Sequence, residues 1–219
     1  MTAGSRELVL ERVRAGLGSV ESELKSDYAN SPRLYTQRGS MNVNQKLALM
    51  VERLREYDAA VVECRESALD ESIAAEIAGS GRRTLAAPEG LPRQWLASSV
   101  EWRIDHDLTN QQIEQVEGVV TASFCGIAES GTIVLHHSLT EGRRVLTLLP
   151  DWHLCVLRAS QVVETLPEYF ARCAEPPPLA TYISGPSATA DIEMTRIKGV
   201  HGPRFLSVLV VRDDGSERA

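Results

Sequence analysis

Apolar residues recur at helical spacing twice near the start of the chain: Leu10, Val13, Leu17, Val20 and Leu24, then Leu47, Met50, Val51 and Leu54. Each set lays one stripe along a 3.6-residue period and predicts an amphipathic helix. Between them, Lys25 to Gln45 is polar, carries Pro32 and Gly39 and has no period, which marks a linker or loop.

From Asp58 the pattern shortens. Ala59-Ala60-Val61-Val62, Thr84 to Pro88 and Val100 to Ile104 read as strands. Leu69 to Ala78 reads as a helix with Ile73 and Ile77 on one face, closed by Gly79 and Gly81, and Asn110 to Glu117 as another. Strands are expected at Val119 to Phe124, Thr132 to His136, Val145 to Leu149, and Leu154 to Leu157 running on toward Val162. A helix over Thr165 to Cys173 follows, then strands at Thr181 to Ile183 and Phe205 to Val211. Strand and helix in alternation predict an α/β domain whose sheet is mainly parallel and covered on both sides. The stretch Val119 to Val163 has strands with no helix between them, so the sheet should be mixed, with a β-rich insertion or a second small sheet. The expected organisation is a helix and polar linker over residues 1–45, an α/β domain over 46–212 and a solvated tail over 213–219.

A chain of 219 residues suits one domain, with 43% hydrophobic content and room to bury a full core. The net charge of −7 argues against a nucleic-acid binder, which needs a basic face. No apolar run approaches the roughly 20 residues that cross a bilayer. Arg6, Glu7, Glu11 and Arg12 interrupt the apolar stretch that a secretory leader requires, so a cytoplasmic location is expected. The cysteines at 64, 125, 155 and 173 lack the spacing of a metal or iron–sulfur site and read as buried free thiols.

Chemistry concentrates in two loops. Gly126-Ile127-Ala128-Glu129-Ser130-Gly131-Thr132 lies between two expected strands, with a carboxylate and two hydroxyls near glycines that let the backbone bend or approach a ligand. Glu129 there can act as nucleophile or general base, or be the exposed tip of a tight turn. The second loop runs from Gly185 to Glu193. Gly185, Ser187 and Thr189 offer backbone and hydroxyl donors to an anion, and a short helix opening at Ala190 would favour negative charge at its start. Asp191 or Glu193 would cap that helix, or repel a phosphate unless a cation intervened. His201, in Gly199-Val200-His201-Gly202-Pro203, is close enough in sequence to reach the same crevice, as a catalytic group or as a hydrogen-bonding loop residue. His136 and His137 would face opposite sides of a strand, and Asp105-His106-Asp107 has no matching second cluster, so no metal site is expected. Arg143 and Arg144 pair with an anion or decorate the surface. No Gly-x-Gly-x-x-Gly after a strand and no phosphate-binding Walker loop is present, so no redox cofactor is encoded and the sequence names no other.

Gly185-Pro186-Ser187, Thr189-Ala190-Asp191-Ile192-Glu193, then Gly199-Val200-His201-Gly202-Pro203 and an apolar strand closely resemble the signature of the lactate utilisation protein C family, the LUD domain. Ala128 to Thr132 is similar to that family's Ala-Glu-Thr/Ser-Gly-Thr loop. Arg143 or Arg144, Leu149-Pro150 and His153 are similar to its Arg…Leu-Pro…His stretch. The resemblance spans about Ala59 to Val211. It implies a three-layer α/β/α sandwich like that of glucosamine-phosphate and ribose-phosphate isomerases, CoA transferases and formyltetrahydrofolate cyclo-ligases.

The resemblance also implies a part in oxidising L-lactate to pyruvate alongside iron–sulfur-bearing partner proteins. The chain would then be an accessory subunit binding a small anion or nucleotide-like ligand between the two loops. The alternative is a stand-alone enzyme of the isomerase or CoA-transferase type. Glu129-Ser130-Gly131 would then act as the Glu-x-Gly loop does in fold relatives, and the Gly185 loop would cradle phosphate or CoA. A regulatory relative with a degenerate site is a third possibility.

Overall fold

The computed structural model describes residues 3–17, 30–32, 34–173, 175, 177–190, 196–198 and 202–215. The chain divides into two units, Met1–Tyr35 and Thr36–Ala219. In the first, Ala3–Leu17 forms helix α1, whose Leu8, Val9, Val13 and Leu17 are exposed. Val20 and Leu24 of the expected stripe lie outside the described residues.

The second unit is built on a six-stranded sheet. Its strands are β1 (Ala60–Arg65), β2 (Thr84–Pro88), β3 (Glu101–Asp105), β4 (Gly118–Thr121), β7 (Trp152–Arg158) and β12 (Phe205–Arg212). They lie in the order β1-β12-β7-β4-β2-β3, and every neighbouring pair is parallel. Antiparallel pairing occurs elsewhere. A four-stranded sheet runs β8-β5-β6-β9 from Val162–Val163, Cys125–Ile127, Thr132–Leu135 and Thr181–Ile183. A hairpin joins β10 (Ala188–Ala190) to β11 (Arg196–Lys198). The β-rich middle of the sequence therefore builds a second sheet and leaves the main one wholly parallel.

Side-chain alternation sorts the main sheet into two buried faces. Leu154 and Val156 of β7 and Leu209 and Val211 of β12 meet helix α3 (Leu69–Ser80) through Leu69, Ile73 and Ile77. Cys155, Leu157, Val208 and Val210 point the other way, onto helix α2 (Val43–Glu56) and onto Ile133 and Leu135 of the small sheet. Helix α4 (Asn110–Glu114) covers the same side farther along, where Ile113 packs on Ala86, Val119 and Leu146. The outer face of the small sheet is closed by helix α5 (Leu166–Arg172), with Tyr169 against Cys125, Ile127 and Val134. The result is a three-layer α/β arrangement.

Helix α2 joins the two sheets. Asn42 starts it: the Gln45 N–H donates to Asn42 Oδ1 at 3.0 Å, and the Asn42 N–H donates to Gln45 Oε1 at 2.9 Å. Its Leu47, Met50, Val51 and Leu54 are all buried, each contributing about 1.5–3 kcal/mol of burial.

Several expected elements differ. Val145 to Leu149 is not a strand; Arg144–Thr147 is a 3-10 turn that turns Leu146 and Thr147 inward ahead of Pro150. The strand expected over Val119 to Phe124 ends at Thr121; Ala122 to Phe124 lie in no strand, and β5 of the small sheet starts only at Cys125. The helix expected from Asn110 to Glu117 ends at Glu114. Ala190 opens no helix but ends a strand, because Ala188–Ala190 pairs with Arg196–Lys198. His136 and His137 follow β6 rather than lying in it.

Candidate functional site

Two adjacent arginines leave the start of the Arg144–Thr147 turn in different directions. Arg143 reaches Asp105 at the end of β3, with Nε 2.8 Å from Oδ2 and Nη2 2.6 Å from Oδ1, and it also donates to the Leu108 carbonyl. That bidentate pair holds the Asp105 carboxyl below its ordinary range. Arg144 donates instead to Thr181 Oγ1 at 2.7 Å, at the start of β9.

Arg144 lines a cavity of about 170 Å³ at the open end of the space between the two sheets. Its floor is His153 and Leu206, near the amino ends of β7 and β12; Thr147 and Thr181 form one wall, and the Ser184–Ser187 turn another. Among the described lining residues Arg144 is the only one that carries a charge at neutral pH. His153 is 1% exposed, and burial lowers its pKa to about 4, so its ring is neutral. Thr121 Oγ1 and His153 Nε2 lie 2.7 Å apart and fix the ring.

The Ser184–Ser187 turn is held from three sides. Gly185 has φ +86°, and a Cβ there would stand 2.6 Å from the Tyr57 Cβ at the end of α2, so only glycine fits. The Ser187 N–H is engaged by the Pro203 carbonyl at 2.8 Å. Ser184 Oγ lies 2.7 Å from Thr132 Oγ1, which lies 2.7 Å from Ser130 Oγ. A chain of hydroxyls thus links the two loops singled out in the sequence.

The expected site residues separate accordingly. Gly185, Pro186, Ser187 and Gly202 line the cavity. Thr132 and Ser130 connect to it through Ser184. Gly126 is buried, with Leu157 where a Cβ would project. Gly131, at φ +60°, admits the Arg53 backbone of α2. Glu129 is exposed, its N–H bonded to the Glu164 carbonyl at 3.0 Å, and it is not among the described residues lining this cavity. Thr189 sits in β10. Asp191, Glu193 and His201 lie outside the described residues. Thr181 and Thr147 had no signature in the sequence: one opens a strand, the other sits in an apolar run.

A larger cavity, about 310 Å³, opens beyond the carboxyl ends of β2 and β3, where open α/β sheets ordinarily take ligands. Its one described arginine is already paired, and its lining also carries the carboxylates of Glu89 and Asp107. Asp105 pairs with Arg143, and Glu89 Oε1 lies 3.3 Å from His106 Nδ1. The smaller cavity presents a guanidinium that no described carboxylate pairs, and so has the clearer recognition chemistry. Among the described residues no group of three or more His, Cys, Asp or Glu side chains is placed to hold a metal ion. No helix among them is long and apolar enough to cross a membrane.

The LUD domain model matches residues 42–211, which spans both sheets and the cavity. Lactate utilization protein C of Deinococcus radiodurans is 39% identical over 165 residues, 73% of this chain and 76% of that protein. The uncharacterised Escherichia coli protein YkgG is 36% identical over 166 residues, 71% of this chain and 69% of its own length. The crystal structure of a DUF162 family protein from Deinococcus radiodurans superposes with a TM-score of 0.64 at 32% identity, covering 78% of this chain and 99% of the other. Fold, domain match and relatives agree: the chain belongs to the LUD domain family.

Proposed function

We propose that this chain serves lactate utilisation as an accessory subunit that holds a small carboxylate in the cavity between its two sheets. The observation that carries this is Arg144: one cation, positioned by Thr181, among hydroxyls and a neutral histidine, with no described carboxylate opposing it. A guanidinium so placed recognises a carboxylate directionally. The name shared by the relatives, Lactate utilization protein C, supports lactate or pyruvate as that acid. Oxidation of lactate to pyruvate releases two electrons and two protons, and the described side chains include no disulfide to take the electrons. Cys125 and Cys155 are buried free thiols in different sheets, pushed by burial to pKa values of about 11 and about 12. The electrons would pass to iron–sulfur-bearing partner proteins, while this chain binds and orients the acid.

The test is lactate oxidation by the purified partner proteins with and without this chain. Turnover should require the chain, fail with the chain alone, and fall with Arg144→Gln. Full oxidation by the partners without it would overturn the accessory role. A thermal-shift screen with L-lactate and pyruvate tests binding directly; a ligand at a hundredfold its Kd stabilises the fold by about 2.7 kcal/mol.

A further inference from the structure

We propose that His137 is the positioning residue of this anion site, acting on Arg144 through Thr181; the proposal rests on the small-carboxylate reading above. His137 Nδ1 lies 2.9 Å from the Gly142 carbonyl oxygen, and His137 Nε2 lies 2.8 Å from Thr181 Oγ1. A carbonyl only accepts, so in the neutral ring Nδ1 carries the proton and Nε2 is left as an acceptor. The single Thr181 hydroxyl proton then goes to Nε2. That turns a Thr181 lone pair toward Arg144, whose Nη1 donates to it at 2.7 Å.

Each direction in the relay is thereby fixed by the one before it. Without the histidine acceptor, the Thr181 hydroxyl proton can rotate, and the bond from Arg144 to Thr181 Oγ1 is no longer held in one geometry. Thr181 is 8% exposed, so water has little access to take over. His137 itself holds a φ of +58°, a backbone region that non-glycine residues seldom occupy, and it does so in a loop rather than in either sheet. Its ring spans the wall between the two cavities: His137 lines the larger, Arg144 and Thr181 the smaller. His137 therefore reaches the anion site from behind, without lining it.

Two amide substitutions separate this role from simple loop anchoring. Asn at 137 can offer its amide N–H near the Nδ1 position, toward Gly142, but does not reach Thr181; it also tolerates positive φ. Gln reaches the Nε2 position and can accept from Thr181. Calorimetric titration with L-lactate should give near wild-type affinity for His137→Gln and Thr181→Ser. Roughly tenfold weaker binding is expected for His137→Asn and Thr181→Val, the loss of one hydrogen bond that orients a charged group. Melting curves for the four variants establish that they fold. Nitrogen-15 NMR of histidine-labelled wild-type protein should show the His137 proton on Nδ1. A proton on Nε2 would overturn the relay. So would unchanged affinity in His137→Asn and Thr181→Val while Arg144→Gln abolishes binding. If Arg144→Gln binds L-lactate as the wild type does, the small-carboxylate reading fails first, and the positioning role falls with it.

Discussion

His153 shows what burial does to a single residue. Its folded pKa is about 4 against an ordinary value of 6.5, because desolvation disfavours the charged ring. The unfolded chain therefore binds the extra proton between those values, and stability falls as the pH drops through that window. Between pH 7 and pH 4.5 the loss from this group is about 2 kcal/mol. Urea unfolding at the two pH values should show it, and His153→Gln should remove most of the difference; an equal loss in the variant would acquit His153. Gly131 makes a different residue-scale point. In the sequence it is a glycine beside a Glu-Ser pair, available for close approach to a ligand. In the fold a Cβ there meets the Arg53 Cβ at 2.6 Å and its carbonyl carbon at 3.0 Å. Gly131→Ala should cost about 1–3 kcal/mol by denaturant titration, from backbone strain and overpacking against α2. Nothing local in the sequence says that a helix eighty residues upstream of the glycine's neighbours in chemistry passes over it. His153 was legible only through its resemblance to a family pattern, since a histidine in an apolar run looks the same whether it floors a cavity or fills a core.

At the scale of elements, helices read best where a stripe and a cap agree. Leu47, Met50, Val51 and Leu54 announce α2, and Asn42 with Gln45 opens it. Asn42→Ala should lower stability by about 1 kcal/mol, seen as a shift in denaturation midpoint without a change in slope. The short apolar run Val145 to Leu149 was not decidable by period, since strands and buried turns of that length share the same pattern. It became a 3-10 turn, and that turn is what sends Arg143 and Arg144 to different partners. The Arg143–Asp105 pair ties this loop to the end of β3. Asp105 is 3% exposed at its side chain and Arg143 48%, so the pair is only half screened by water. Asp105→Asn should destabilise the fold by about 1–2 kcal/mol, less than a fully buried pair would. Because Arg143 lowers the Asp105 pKa in the folded state, its stabilisation is present at neutral pH and fades as the pH falls below 3.8. Unchanged stability of the variant at neutral pH would mean that the loop is anchored by other contacts.

For the whole molecule, the alternation of strands and helices gave the class of fold, and the run of strands without helices gave the second sheet. Strand order was not legible. β1 and β12 are neighbours although they lie at opposite ends of the domain, and no local signal in the sequence announces that pairing. The site follows from that closure: β12 brings Leu206 beside His153, and β9 brings Thr181 beside Arg144, from segments dozens of residues apart. Among the described residues, the buried clusters fall between Leu47 and Val211. The most direct test of the central claim is a crystal structure grown with L-lactate in the drop. The carboxylate should lie within hydrogen-bond distance of the Arg144 guanidinium, against the Ser184–Ser187 turn and above His153. A well-ordered lactate bound at the carboxyl ends of β2 and β3 instead, or an Arg144 cavity filled only by water, would contradict it.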